Sequence, residues 1–269
     1  MIGVFDSGIG GLTVVRRLFE ILPEYRVVYF GDTARVPYGG KSAETVTRYA
    51  FEDADFLLDR SAKLIVVACN TASAVALEAL RRRLQVPVVG VIEPAVRAAA
   101  AASRNGRIGV IGTRATIASG IYERVVAEHR PDAVVIAEPA PLLVPLVEED
   151  WLDQPETPSI LRTYLAPLLE LRADTIILAC THSPVLRDMI ARLVGGGVTL
   201  IDPAQETAAE THALIAGDRA LRESLERSQD HLFFVSDITP HFAAVSARFL
   251  GHSIEGHLHK VDLPCRTGD

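Results

Sequence analysis

The sequence predicts an α/β protein of two pseudo-symmetric doubly wound units, each with a mostly parallel four-stranded sheet. Two observations carry this. Short, continuous, β-branched apolar runs alternate with helical patterns along the 269 residues, and such runs mark strands covered on both faces by helices. The runs also repeat. IGV at 2–4 recurs at 108–110, VV at 27–28 at 134–135, and VP at 36–37 at 144–145. IVVAC at 65–69 recurs as IILAC at 176–180, and IEPA at 92–95 as IDPA at 201–204. Five matches in one order, at nearly one spacing, point to a duplicated unit.

The first unit opens with a strand over 2–5, which ends at Asp6-Ser7. Gly8-Ile9-Gly10-Gly11 then leads into a helix over 11–22. Position 13 is Thr13, so the stretch lacks the GxGxxG spacing, and no Walker A lysine follows it. It reads as a tight strand–helix turn, a reading compatible with a carboxylate held on backbone N–H groups at the helix start. Strands over 27–30, 64–68 and 88–91 follow, with helices over 43–59 and 72–84; Asp32, Cys69-Asn70-Thr71 and Glu93 stand at the strand ends. The alanine-rich stretch 94–103 is a connecting helix. The second unit has strands over 108–111, 134–137, 175–179 and 198–201, ending at Thr113, Glu138, Cys180-Thr181-His182 and Asp202. Residues 205–269 have no counterpart in the repeat. They add helices and a strand at 232–235, and are expected to pack on the first unit. The predicted domains are therefore 1–93 with 205–269, and 94–204. Ligands of open α/β sheets bind beyond the carboxyl ends of the strands, so the site is expected in the cleft between the two units.

Composition narrows the class. Hydrophobic residues make up 49% and charged residues 23%, with a net charge of −7. No long basic stretch invites nucleic acid and no apolar run approaches the roughly 20 residues of a membrane span. No signal-peptide pattern opens the chain. Three cysteines, an odd number, suit a reducing compartment better than a disulfide framework. A cytoplasmic protein is expected, with neither a nucleic-acid nor a membrane partner.

Two of the cysteines share a context. A free cysteine is usually an inert buried hydrophobe, and Cys265, in LPCRTGD, reads that way. Cys69 and Cys180 each follow a strand directly. Each precedes residues that can open a helix, whose N-terminus lowers a thiol pKa. Zinc is disfavoured: Cys180-x-His182 and the tail histidines His252, His257 and His259 contain no CxxC or HxxxH pair, and the tail histidines read as a solvated strand or turn. With only Lys41, Lys63 and Lys260 in the chain, a pyridoxal phosphate Schiff base has few candidates. No metal or cofactor is expected. A Cys–His hydrolase or lyase needs one nucleophile and one base, which leaves the duplicated cysteine unexplained. A hinged ligand-binding module leaves both thiols unexplained. Racemisation uses a base on each face of one carbon, and two equivalent thiols across a cleft supply it.

DSGIGGL at 6–12, GDTARVPYG at 31–39, ACNTAS at 68–73, GVIEP at 90–94, VPLVE at 144–148 and CTH at 180–182 resemble the glutamate racemases. Aspartate and hydantoin racemases share the fold and the two thiols, but these motifs lean toward glutamate. The resemblance implies cofactor-free, two-base interconversion of L- and D-glutamate. Cys69 would exchange the proton of D-glutamate with help from Asp6. Cys180 would exchange that of L-glutamate with help from His182, with Glu148 close by. Asp6, Ser7, Pro37, Tyr38, Gly39, Asn70, Thr71, Thr181 and His182 would hold the substrate, and Thr113 and Thr116 would line the same pocket. The resemblance further implies a homodimer in a bacterial cytoplasm that supplies D-glutamate for peptidoglycan, and so for cell-wall growth and cell shape. Ser183 departs from the family, which usually carries an aromatic there. Asp6 lies so near Met1 that the extended N-terminus through which a peptidoglycan precursor activates some members is not expected.

Overall fold

The computed structural model describes residues 1–238, 242–254 and 256–262, so Cys265 lies outside the described residues. The eight predicted strands all form: β1 Ile2–Asp6, β2 Val27–Gly31, β3 Leu64–Val67, β4 Val88–Gly90, β5 Arg107–Gly112, β6 Val134–Pro139, β7 Thr175–Ala179 and β8 Thr199–Ile201. Two more come from the tail, β9 Leu232–Val235 and β10 Leu258–Lys260. The sheets run β10-β9-β2-β1-β3-β4 and β6-β5-β7-β8, and every strand pair in them is parallel. The order β2-β1-β3-β4 is repeated as β6-β5-β7-β8, which is the duplication seen in the sequence. The central strands β1, β3 and β7 are buried along their whole length, which is why they read as unbroken apolar runs.

One expectation needs correction. The first sheet has six strands, not four. The free backbone edge of β2 pairs with β9 through Val28↔Leu232 to Gly31↔Val235, and β10 then pairs with β9. An unpaired edge is a site for further strand addition, and the tail covers it. The tail histidine His259 lies in β10.

The helices follow their local signals. Ser42 caps the helix Ala43–Asp59 by accepting from the Thr45 N–H at 3.3 Å. The helix behind β3 starts two residues earlier than the periodicity suggests, at Asn70, because Cys69 itself is the cap: its Sγ accepts from the Ala72 N–H at 3.5 Å. The alanine-rich connector is the helix Ile92–Ala102. Asp202 caps the helix Pro203–Gly217 and stands near Arg17, and Glu93 pairs with Arg81, so these two strand-end acids are structural. Among the described residues no helix is long and apolar enough to cross a membrane, and no group of His, Cys, Asp and Glu gathers to hold a metal.

Candidate active site

The carboxyl ends of the two sheets meet around one narrow pocket. From the first sheet Ser7, Pro37, Tyr38, Gly39, Cys69, Asn70 and Thr71 line it; from the second come Thr113, Cys180, Thr181 and His182. Both thiols are thus brought to one cavity, each nearly buried, at 4% and 6% exposure. Val36 and Val144 complete the wall. An apolar lining side chain carries no chemical pattern, so neither valine is singled out as a site residue by sequence; the signal that marks them is the repeat of VP at 36–37 as VP at 144–145. Asp6, Thr116 and Glu148 stand one layer behind the lining. Asp6 is fully buried and accepts from the Gly8 N–H at 3.0 Å and from Thr181 Oγ1 at 3.5 Å. Thr116 closes a triangle of hydroxyls with Thr71 and Thr113, with edges of 3.3, 3.0 and 2.9 Å.

The two lobes approach closely because glycine permits it. A Cβ on Gly10 would come within 2.3 Å of Thr181 Oγ1, and one on Gly39 within 2.5 Å of Thr113 Cβ. The glycine-rich turn is therefore a close-contact surface. Its Gly8 N–H is already used by Asp6, and Tyr29 donates to the Gly8 carbonyl at 2.7 Å.

The thiols differ in their surroundings. The Cys69 thiol is pushed up to about 12, first by burial and then by the Asp6 carboxylate, which together outweigh the N–H groups of Ala72 and Ser7. The expectation of a thiol acidified by a helix N-terminus fails here: Cys69 caps a helix, but the lost hydration is the larger effect. Cys180 caps no α-helix, because a short 3₁₀ turn, Ser183–Leu186, follows it. Its Sγ is 3.8 Å from His182 Nδ1, and His182 Nε2 is 3.0 Å from Glu148 Oε1. Burial alone would lower the imidazole, but its bonds to Cys180 and Glu148 raise it to about 10. His182 is therefore protonated near neutral pH. Phe249 packs edge-on against the ring, with centroids 5.4 Å apart. Ser183 is fully buried and its hydroxyl has no partner among the described residues. Burial also raises Asp6 above the usual carboxylate range.

Behind Tyr38 lies a cluster that the sequence did not reveal. Its hydroxyl donates toward Asp32 and stands 2.9 Å from Asp53 Oδ2, and Arg35 reaches Asp32, Glu52 and Asp53. Asp53 is fully buried, and burial followed by repulsion from Asp32 holds it well above the carboxylate range. A raised carboxyl favours the fold in its neutral form. That contribution is complete below the unfolded pKa near 4 and is lost as pH climbs to the folded value. Asp53→Asn, which cannot ionise, should therefore gain on the native protein as pH rises. Its unfolding midpoint, measured against that of the native protein, should be more favourable near pH 8 than near pH 5 by at least about 2 °C. Parallel midpoint curves would show that Asp53 does not titrate in this range.

Residues 2–211 match the family described as Asp/Glu/Hydantoin racemase. The glutamate racemase of Geobacter metallireducens is 50% identical to this chain, over 97% of this chain and 96% of its own length. The crystal structure of glutamate racemase isoform RacE1 from Bacillus anthracis superposes with a TM-score of 0.92 at 39% identity, covering 98% of each chain. That of Francisella tularensis glutamate racemase in complex with D-glutamate has a TM-score of 0.89 at 35% identity, covering 98% of this chain and 97% of its own.

Proposed function

The chain belongs to the Asp/Glu/Hydantoin racemase family, and from that premise we propose that it interconverts L- and D-glutamate through two thiols, without a cofactor. The observation that carries the reading is the duplicated thiol: Cys69 and Cys180 follow the equivalent strands β3 and β7 and line one pocket. The relatives named glutamate racemase, one of them solved with D-glutamate, support the substrate. We read the lobes as 1–93 with 205–269, and 94–204. The product serves peptidoglycan synthesis in the cytoplasm, and the protein works as a homodimer.

In this mechanism the Cys180 thiolate removes the α-proton of L-glutamate while the Cys69 thiol delivers one to the opposite face. D-glutamate reacts by the reverse path. The site is unsymmetrical. Cys69 holds its proton up to about pH 12, ready to deliver it. The imidazolium of His182, braced by Glu148, offers a counter-charge for a Cys180 thiolate. Asp6, raised by burial, takes up the Cys69 proton when D-glutamate is the substrate. Ser7, Pro37, Tyr38, Gly39, Asn70, Thr71, Thr113 and Thr181 hold the two carboxylates and the amine, and exclusion of water from the narrow pocket strengthens every such contact.

The test is the circular dichroism of L-glutamate incubated with the purified protein after dialysis against a chelator and a carbonyl-trapping reagent. The signal should decay to zero. Aspartate, one methylene shorter, should be turned over about 10- to 200-fold less efficiently. Comparable turnover of both acids would remove the glutamate assignment. Activity restored only by added metal or pyridoxal phosphate would remove the cofactor-free mechanism.

A further inference from the structure

One buried side chain outside this machinery acts on the pocket wall from behind. Tyr122 belongs to the helix Ile121–His129, is 1% exposed, and donates its hydroxyl proton to Asn70 Oδ1 at 2.8 Å. Asn70 is the first residue of the helix that Cys69 caps, and it lines the pocket. Its Nδ2 is buried and has no hydrogen-bond partner among the described residues. These facts fix one another. A phenol has one proton to give, and Asn70 Oδ1 receives it. Burial, and then charge on Cys180, raise the phenol further above its ordinary range, so it remains a donor. With Oδ1 committed, the amide N–H groups lie on the other side, where no acceptor among the described residues meets them. Turning the amide over would leave the phenol proton unpaired and set a carbonyl oxygen against an incoming anion. Buried donors are normally satisfied, and a carboxylate oxygen is the matching acceptor.

We infer that Tyr122 is a positioning residue for substrate binding, which through Asn70 holds an amide N–H toward a carboxylate of the bound amino acid. This rests on the glutamate reading above. The bond also spans the cleft, since Asn70 follows β3 and Tyr122 follows β5, so the donor is oriented by the opposite lobe.

Tyr122→Phe keeps the ring and removes only the donor. Its KM for glutamate should rise about tenfold while kcat falls less than about threefold, the signature of lost binding shared by ground and transition states. Asn70→Ala should raise KM at least as far, and adding Tyr122→Phe to it should change KM by less than about twofold, because the two act as one unit. Asn70→Asp leaves the phenol its acceptor while replacing the N–H donor by oxygen, and should alone raise KM about tenfold or more. A tyrosine with a merely structural role would lower the unfolding midpoint and add its full effect in both backgrounds. An unchanged KM in Tyr122→Phe or in Asn70→Asp, or an additive double variant, overturns the inference. Native protein inert toward glutamate overturns the substrate reading and the inference with it; active native protein beside an unaffected Tyr122→Phe overturns the inference alone.

Discussion

Cys69→Ser and Cys180→Ser should each lose racemisation by about 10³-fold or more, and in both directions by the same factor. A hydroxyl is a far weaker base than a thiolate, and positioned proton transfer is worth about 10² to 10⁴ in rate. Equality of the two directions is a thermodynamic requirement. Enantiomers have equal free energy, so the equilibrium constant is one and kcat/KM for L- and D-glutamate must match in any variant. The two thiols are told apart by half-reactions, which that constraint does not bind. A β-substituted analogue carrying a leaving group needs only one base for elimination. Cys69→Ser retains Cys180 and should eliminate from the L-analogue; Cys180→Ser retains Cys69 and should eliminate from the D-analogue. A Cys–His hydrolase or lyase would instead show one silent cysteine. Either serine variant racemising glutamate near the native rate would end the two-thiol mechanism.

The second large effect falls on the groups beside the thiols. Asp6→Asn and His182→Asn should each lower kcat/KM about 10²-fold. Any difference between the directions appears in kcat, with KM moving to compensate. His182 also sets a pH limit. In the proposed mechanism the working form is the imidazolium, whose value stands at about 10, so activity should be present below that pH and fall as pH rises through it. His182→Asn should lose that alkaline limb along with the rate. Glu148→Gln keeps a hydrogen bond to Nε2 but removes the charge, and should shift the limb to lower pH. A His182→Asn variant with native rate and the native pH profile would show that the imidazolium has no part in proton transfer.

The sheets and the thiols were legible because each rests on local pattern. Buried parallel strands write themselves as apolar runs, and the repeat of IVVAC as IILAC sets Cys69 and Cys180 at equivalent strand ends. What escaped the sequence is long-range. Tyr122 in IYERVVAEH looks like an ordinary core aromatic, and its partner Asn70 lies 52 residues away. Asp53 sits inside a regular helix, and only the fold shows that Arg35, Asp32 and Tyr38 surround it. The strand β10, three residues with two of them exposed, has too little apolar pattern to be read. The environment of Cys69 is hidden for a related reason: sequence shows the helix start, but not how completely the thiol is cut off from water.

The repeated strand order has a consequence for handedness. Like lobes are related by rotation, whereas the two substrates are related by reflection. A rotation that carries Cys69 toward the place of Cys180 cannot carry L-glutamate onto D-glutamate. In the proposed mechanism, duplication therefore supplies paired bases but cannot supply matched recognition: the carboxylates and amine must stay on one chiral set of contacts while only the hydrogen changes sides. The lobes depart from each other where that demand falls. Asp6 ends β1, whereas Gly112 ends β5 and Thr113 follows it; Asn70-Thr71 follows Cys69, whereas Thr181-His182 follows Cys180. The repeat survives in the strands, and chirality is written into the residues at their ends.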